Sequence, residues 1–258
     1  MRNILFFDFD DTLYSHRAKC VSPAVQAALS RLHCHQQMLV VASGRGRESE
    51  QFIRDALGFI PDYLILMNGQ LILQGEELVY ENFAEAAPMK EMMDLAEQFG
   101  YPCGGYYADG ILVNEMTIRV EAVWQDFQAT PPVVIPHFQN RYSLYQGHLY
   151  ITKDETASFL DCMQNYVINW SHPYLVNLIP KSAGKSQAIR WLLDTLKIDR
   201  DRAYAFGDGF NDLDMLQAVG HGVAMGNGSD RLKAVAQYIT SPVDGRGVLD
   251  ALEHYSLI

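Results

Sequence analysis

In the N-terminal part of the chain, short apolar runs alternate with amphipathic stretches, and each run ends in polar turn residues. Residues 3–9 form an apolar run broken by Asp8, residues 38–42 (MLVVA) form a second, and residues 63–67 (YLILM) a third. Runs this short and continuous read as strands buried on both faces, as in parallel sheets. Ser22-Pro23 supplies an N-cap and a first-turn proline for a helix to about residue 37. A second helix is expected after Gly44, stopping at Gly58. The β-α-β-α-β order predicts an open, mostly parallel sheet covered by helices.

The rhythm then changes. Residues 70–83 read as a hairpin turning near Gly75-Glu76. From 88 to 173 the pattern gives helices at 89–99, 118–127 and 155–164, strands around 106–114, 147–153 and 166–170, and a break at Pro131-Pro132. Strands and helices without strict alternation indicate an α+β insert. The first rhythm resumes with a strand at 176–179, a helix at 186–196 and a strand at 203–206. A helix at 213–219, a strand at 221–225, a helix at 230–236 and a strand at 238–240 follow. The expected architecture is a discontinuous core, residues 1–82 and 177–258, with an inserted domain over 83–176.

Ligands bind outside the carboxyl ends of the strands in such sheets. Those ends carry Asp8, Asp10, Asp11 and Thr12 after the first strand, Ser43-Gly44-Arg45 after the second and Asn68-Gly69 after the third. The strand at 203–206 ends in Gly207-Asp208-Gly209-Phe210-Asn211-Asp212. Carboxylates gathered at one edge repel one another and call for a cation. Mg2+ suits a site of a few carboxylates, waters and a substrate phosphate. Asp8 and Asp10 fall on the same side of a continuing strand. Asp8 is then placed for attack on phosphorus, and Asp10 for protonating the leaving oxygen and activating water. Ser43, the Gly44 N–H and Lys185 are the candidate donors to phosphoryl oxygens. Gly184-Lys185-Ser186 is not a P-loop, because Ile179 stands where that motif needs its first glycine.

DFDDTL at 8–13, SGR at 43–45, NG at 68–69, GKS at 184–186 and GDGFNDLDML at 207–216 together resemble the haloacid dehalogenase-like (HAD) phosphatases of the Cof type. The tail at 222–248, GVAMGNGSDRLKAVAQYIT followed by DGRGV, is similar to that branch as well. The resemblance implies a Rossmann-like α/β core with an α+β cap of type C2, inserted after the third core strand. It implies Asp8 as nucleophile and Mg2+ ligand, and Asp10 as general acid/base with its carbonyl on the metal. It implies Asp208 as a further metal ligand, with Ser43, Gly44, Lys185 and Asn211 on the phosphate. Asp212 would support the metal and Thr12 would steady the nucleophile loop. The family usually has glycine where this chain has Asp11. The expected activity is Mg2+-dependent hydrolysis of a small phosphorylated metabolite, a sugar phosphate or phosphorylated cofactor, through an aspartyl phosphate. The alternatives are a phosphomutase of the same superfamily and a non-catalytic phosphate-sensing module.

Composition bounds the partners. Twenty Lys+Arg against 31 Asp+Glu give a net charge of −11, which argues against a nucleic-acid binder. No apolar run reaches the ~20 residues of a membrane helix, and the first residues carry no signal-peptide pattern. The four cysteines are widely spaced, which fits a reduced, cytoplasmic compartment. A monomer or weak homodimer is expected. Arg45 and Arg47 read as surface charges, Asn68-Gly69 as turn chemistry, and Lys181 and Asp214 as solvent-facing. Ser43 doubles as a helix N-cap. Tyr106, Tyr107, Trp124, His137 and His148 read as core of the insert.

Overall fold

The structure is a computed structural model that describes residues 2–127 and 129–258. The chain divides into two compact units, Met1–Glu81 with Gly184–Ile258, and Asn82–Ala183.

The discontinuous unit is built on an eight-stranded sheet. Across it run Tyr238–Ile239, His221–Ala224, Ala203–Gly207, Ile4–Asp8, Met38–Ala42, Tyr63–Leu66, Leu71–Gln74 and Glu77–Glu81. The strands from Tyr238–Ile239 to Tyr63–Leu66 are parallel, and the closing Leu71–Gln74/Glu77–Glu81 hairpin is antiparallel. Every residue of Ile4–Asp8 and Met38–Ala42 is buried, which explains their unbroken apolar spelling. Ile4, Phe6 and Val40 pack with Ala188, Ile189 and Leu192 of the helix Lys185–Leu196. Ser22 caps the helix Pro23–Cys34 by accepting the Val25 N–H at 3.4 Å.

The inserted unit carries a six-stranded sheet in the order Val133–Val134, Gly110–Val113, Cys103–Tyr107, Gln146–Leu149, Leu175–Pro180, Tyr166–His172. Its pairs are antiparallel except the first. One face packs on Met89, Met92, Met93 and Ala96 of the helix Ala86–Gln98. A smaller cluster joins Val120, Val123 and Trp124 of the helix Ile118–Asp126 to Val113, Tyr150 and Leu175.

Three local expectations differ from the structure. The strand read at 176–179 as core is Leu175–Pro180, and it pairs with Gln146–Leu149 and Tyr166–His172. It therefore lies in the insert, and the chain re-enters the core unit at Gly184 rather than at 177. The helix read at 155–164 is a 3-10 stretch, Lys153–Phe159, followed by a single α-turn, Leu160–Met163. There Thr156 Oγ1 donates to the Lys153 carbonyl at 2.6 Å, a local bond that competes with α-helix, while Glu155 accepts the Thr152 N–H at 2.6 Å at the start of the stretch. His137 is not core: its side chain is 74% exposed and meets Glu97 at 3.0 Å. Trp124 and His148 are buried, and Tyr106 and Tyr107 are half-buried. No helix among the described residues is long and apolar enough to cross a membrane.

Candidate active site

Sheet register brings the motifs together. Asp8 pairs with Ala42, so Ser43 begins one residue beyond it. Phe7 pairs with Phe206, so Gly207-Asp208 follow beside Asp8. The Ser43 N–H donates to the Ile65 carbonyl at 2.8 Å, and the Asn68 N–H to the Ser43 carbonyl at 3.1 Å. Met67 N–H donates to the Arg45 carbonyl at 2.9 Å. These bonds hold residues 43–45 as loop, so helix begins later, as 3-10 at Arg47–Ser49 and α at Glu50–Leu57. Ser43 is thus not a helix N-cap; its buried hydroxyl accepts the Arg45 N–H at 3.1 Å.

Lys185 arrives through a backbone contact. Gly69 has φ +96°, and a Cβ there would stand 2.2 Å from the Gly184 carbonyl oxygen. Only glycine permits both the left-handed turn and that approach. Asn68-Gly69 is therefore more than turn chemistry: it seats the start of the Lys185–Leu196 helix. Asp214, expected to face solvent, accepts the Ser186 N–H at 3.2 Å and caps the same helix start.

Lys185 is fully buried, and its ammonium bonds Asp8 Oδ1 and, at 2.7 Å, Asp212 Oδ1. The other oxygen of Asp212 accepts the N–H groups of Asp208 and Gly209 at 3.0 and 2.8 Å. Asp212 can fold back this way because Gly207 has no Cβ; one would lie 2.6 Å from the Asp212 side chain. Thr12 Oγ1 donates to Asp208 Oδ1 at 3.1 Å, tying the first loop to the Asp208 loop.

Asp8, Asp208 and Asp212 each offer an oxygen within 4.8 Å of the others, and no other such group of metal-ligand side chains occurs among the described residues. Three carboxylates face one ammonium, and their titration reflects the surplus. Burial, then the charge of Asp212, pushes the Asp8 pKa well above its ordinary value, with Lys185 pulling the other way. Burial, then Asp212, pushes Asp208 up to about 6. Burial opposes the charge of Lys185, but Asp212 and Asp8 outweigh it and raise its pKa. A second cation would relieve the excess, and an all-oxygen donor set suits a hard divalent ion. Asp212 already spends both oxygens on Lys185 and backbone N–H groups, so Asp8 and Asp208 are the side chains left to hold it.

Asp10 is held by other partners. Arg45 grips it with two hydrogen bonds, Nε to Oδ2 at 2.9 Å and Nη2 to Oδ1 at 2.7 Å. His16 Nε2 lies 2.9 Å from Oδ1. The guanidinium sits over Phe52 and Phe9, 5.0 and 5.6 Å from their ring centres. Arg45 is thus no free surface charge, whereas Arg47 is exposed. Asp11 has φ +55°, the left-handed region that favours glycine and tolerates Asp. Its Oδ1 accepts the His16 N–H at 3.1 Å, so the carboxylate steadies the turn it strains.

Gly44 lies beside Asn68, and Asn211, exposed, donates to Asn68 Oδ1 at 3.0 Å. Asn227 escaped sequence reading. Its amide donates to the Asp11 carbonyl at 2.9 Å and Asp208 Oδ2 at 3.2 Å. The one hint was its place in the GNGSD turn of the tail.

The sequence model of the haloacid dehalogenase-like hydrolases matches residues 5–252. The chain belongs to the haloacid dehalogenase-like hydrolases. Solved structures agree with the fold over almost the full length. A protein from Geobacillus kaustophilus HTA426 is 27% identical, covers both chains completely and has a TM-score of 0.91. BT1666 from Bacteroides thetaiotaomicron, described among phosphatases of the superfamily, is 27% identical with a TM-score of 0.86, over 100% of this chain and 96% of that one. BT4131, described as a HAD subclass IIB sugar phosphatase, is 27% identical with a TM-score of 0.80, over 99% and 100%.

Proposed function

We propose that the chain is a Mg2+-dependent phosphatase that hydrolyses a small phosphorylated metabolite through an aspartyl phosphate on Asp8. The observation that carries this is the buried Lys185 held between Asp8 and Asp212, with Asp208 alongside. Asp8 and Asp208, with the Asp10 carbonyl, would hold Mg2+, which supplies positive charge to the phosphoryl oxygens and neutralises the carboxylates. An Asp8 oxygen attacks phosphorus, the P–O bond to the alcohol breaks, and Asp10 gives its proton to the leaving oxygen. Asp10 then takes a proton from water as that water attacks the aspartyl phosphate, which releases inorganic phosphate and restores the Asp8 carboxylate. Ser43, the Gly44 N–H, Lys185 and Asn211 bind the phosphoryl oxygens. Thr12 and Asp212 hold Asp208 and Lys185 in place. Choice of the alcohol falls to the insert. The full-length likeness to BT4131, a sugar phosphatase, supports a sugar phosphate as one candidate; a phosphorylated cofactor is the other.

The test is phosphate release from a panel of small phosphomonoesters with Mg2+ and with EDTA. Mg2+-dependent turnover, lost in Asp8→Asn, is expected. An inert wild-type protein across the panel would sink the reading.

A further inference from the structure

Arg45 is fixed at both ends. Its carbonyl accepts the Met67 N–H at 2.9 Å, and its guanidinium gives two hydrogen bonds to Asp10, one to each oxygen. Such a two-point grip sets the plane of the carboxylate as well as its place. The guanidinium itself rests on aromatic rings, 5.0 Å from the centre of Phe52 and 5.6 Å from that of Phe9. Phe9 stacks on Tyr14 at 5.4 Å, and Phe52 meets the two edge-on at 5.9 and 5.3 Å. All of these residues lie within the discontinuous core unit.

Phe52 is the outer ring of this shelf. Phe9 and Tyr14 belong to the chain on either side of Asp10, whereas Phe52 comes from the helix Glu50–Leu57. The buried residues of that helix are Ile53 and Leu57. Phe52 is 41% exposed and takes no part in that buried face, so filling the core does not account for it. Its ring carries the Arg45 guanidinium instead. A guanidinium over an aromatic face is drawn to the negative face of the ring, and this attraction persists whatever the hydrogen-bond partner does.

That independence matters because Asp10 changes state during turnover. An oxygen that carries a proton is a poor acceptor, so one of the two bonds from Arg45 weakens whenever Asp10 is protonated. A long side chain released at one point regains rotamer freedom and drifts. The ring keeps the guanidinium in place through that interval, and the second bond re-forms in the same orientation. We propose that Phe52 is a positioning residue that acts through Arg45 to aim Asp10, first at the leaving oxygen and then at water. The inference rests on the phosphatase reading, which gives Asp10 its role, and it adds a residue outside every motif at the strand ends.

The test compares Phe52→Leu, which keeps an apolar side chain without a ring, with Phe52→Tyr, which keeps the ring. On a hexose 6-phosphate, whose alkoxide needs a proton as it leaves, kcat/KM of Phe52→Leu is expected to fall about three- to tenfold. On p-nitrophenyl phosphate, whose leaving group needs no proton, it should stay within about twofold. Phe52→Tyr should stay within about twofold of wild type on both esters. In an Arg45→Met background, Phe52→Leu should add no further loss, because Phe52 acts only through Arg45. An equal loss on both esters, no loss on either, a loss in Phe52→Tyr as large as in Phe52→Leu, or additive losses in the double variant overturns the proposal. A second readout needs no turnover. In 15N-labelled protein, the Arg45 Nε–H resonance, identified by its absence in Arg45→Met, should move and exchange faster with water in Phe52→Leu, and stay near its wild-type position in Phe52→Tyr. An unmoved resonance in Phe52→Leu overturns the proposal. A resonance that responds as expected, in a protein whose wild type is inert on both esters, would instead sink the phosphatase reading and leave the hold of Phe52 on Arg45 standing.

Discussion

The core's strand-end edge and the insert's sheet both bury polar side chains, yet they do so in opposite ways. At the core edge the buried groups are charged and paired: Lys185 with Asp8 and Asp212, Asp212 with two backbone N–H groups, Asp208 with Thr12. On the insert, His148 is buried, neutral and unpaired. A charged site must keep its balance without a ligand, because an isolated buried charge costs several kcal/mol. A neutral group left unpaired costs less, about 1–3 kcal/mol.

The sharpest way to break this comparison is Lys185→Met. It leaves the carboxylates of Asp8 and Asp212 buried without their cation, so denaturant unfolding should show a loss of about 3–5 kcal/mol, alongside loss of turnover. His148→Leu should show no such loss. Equal destabilisation of the two variants would erase the distinction.

Arg45→Met comes next. Freed from Arg45, Asp10 would no longer be aimed, and protonation of the leaving oxygen should suffer most where the alcohol is a poor leaving group. A drop of about 10- to 100-fold on alkyl phosphates, with a change of only a few-fold on p-nitrophenyl phosphate, is expected from steady-state rates. A uniform drop across leaving groups would make Arg45 a phosphate ligand instead.

A smaller effect is carried by Asp208. Its carboxyl titrates at about 6 in the fold against an ordinary 3.8. The folded protein therefore holds a proton there that the unfolded chain has released, and metal-free stability falls as pH rises through that window. Mg2+ should raise the melting temperature more at pH 7 than at pH 5, and Asp208→Asn should flatten the difference. A Mg2+ effect independent of pH in wild type would contradict the charge surplus at this edge.

The smallest effect belongs to Asp11. Glycine fits its left-handed backbone but loses the carboxylate bond to His16, so Asp11→Gly should change stability by under about 1 kcal/mol. Asp11→Val should cost about 1–2 kcal/mol in the same unfolding assay.

Much of the core was legible because buried parallel strands spell themselves as unbroken apolar runs and end in the residues that do chemistry. That logic located Asp8, Ser43 and Asp208, and it found Lys185 because a lysine at a helix start needs an anion. It missed Arg45. The grip on Asp10 depends on the pairing of Asp8 with Ala42, a register that local sequence does not encode. It also misassigned Leu175–Pro180, because an apolar run does not say which sheet it joins. In the insert, helices cover both faces of an antiparallel sheet, so strand spelling loses its clean alternation, and the Thr156 hydroxyl bond to the Lys153 carbonyl competes with helical bonding. His148 read as core and is buried, but its missing partners are visible only in three dimensions.

The central strand Ile4–Asp8 has a further consequence during biosynthesis. Its neighbour on one side, Met38–Ala42, leaves the ribosome early, while its neighbour on the other, Ala203–Gly207, comes only after the whole insert. At ~5–20 residues per second, one edge of that apolar strand stays uncovered for about 10 to 40 s. A bare strand edge is a template for wrong pairing. Slow translation within the insert should therefore favour aggregation of the nascent core, and early chaperone binding should favour yield. Moving the chain termini into the insert by circular permutation would bring the two halves of the core together in sequence and shorten that exposure.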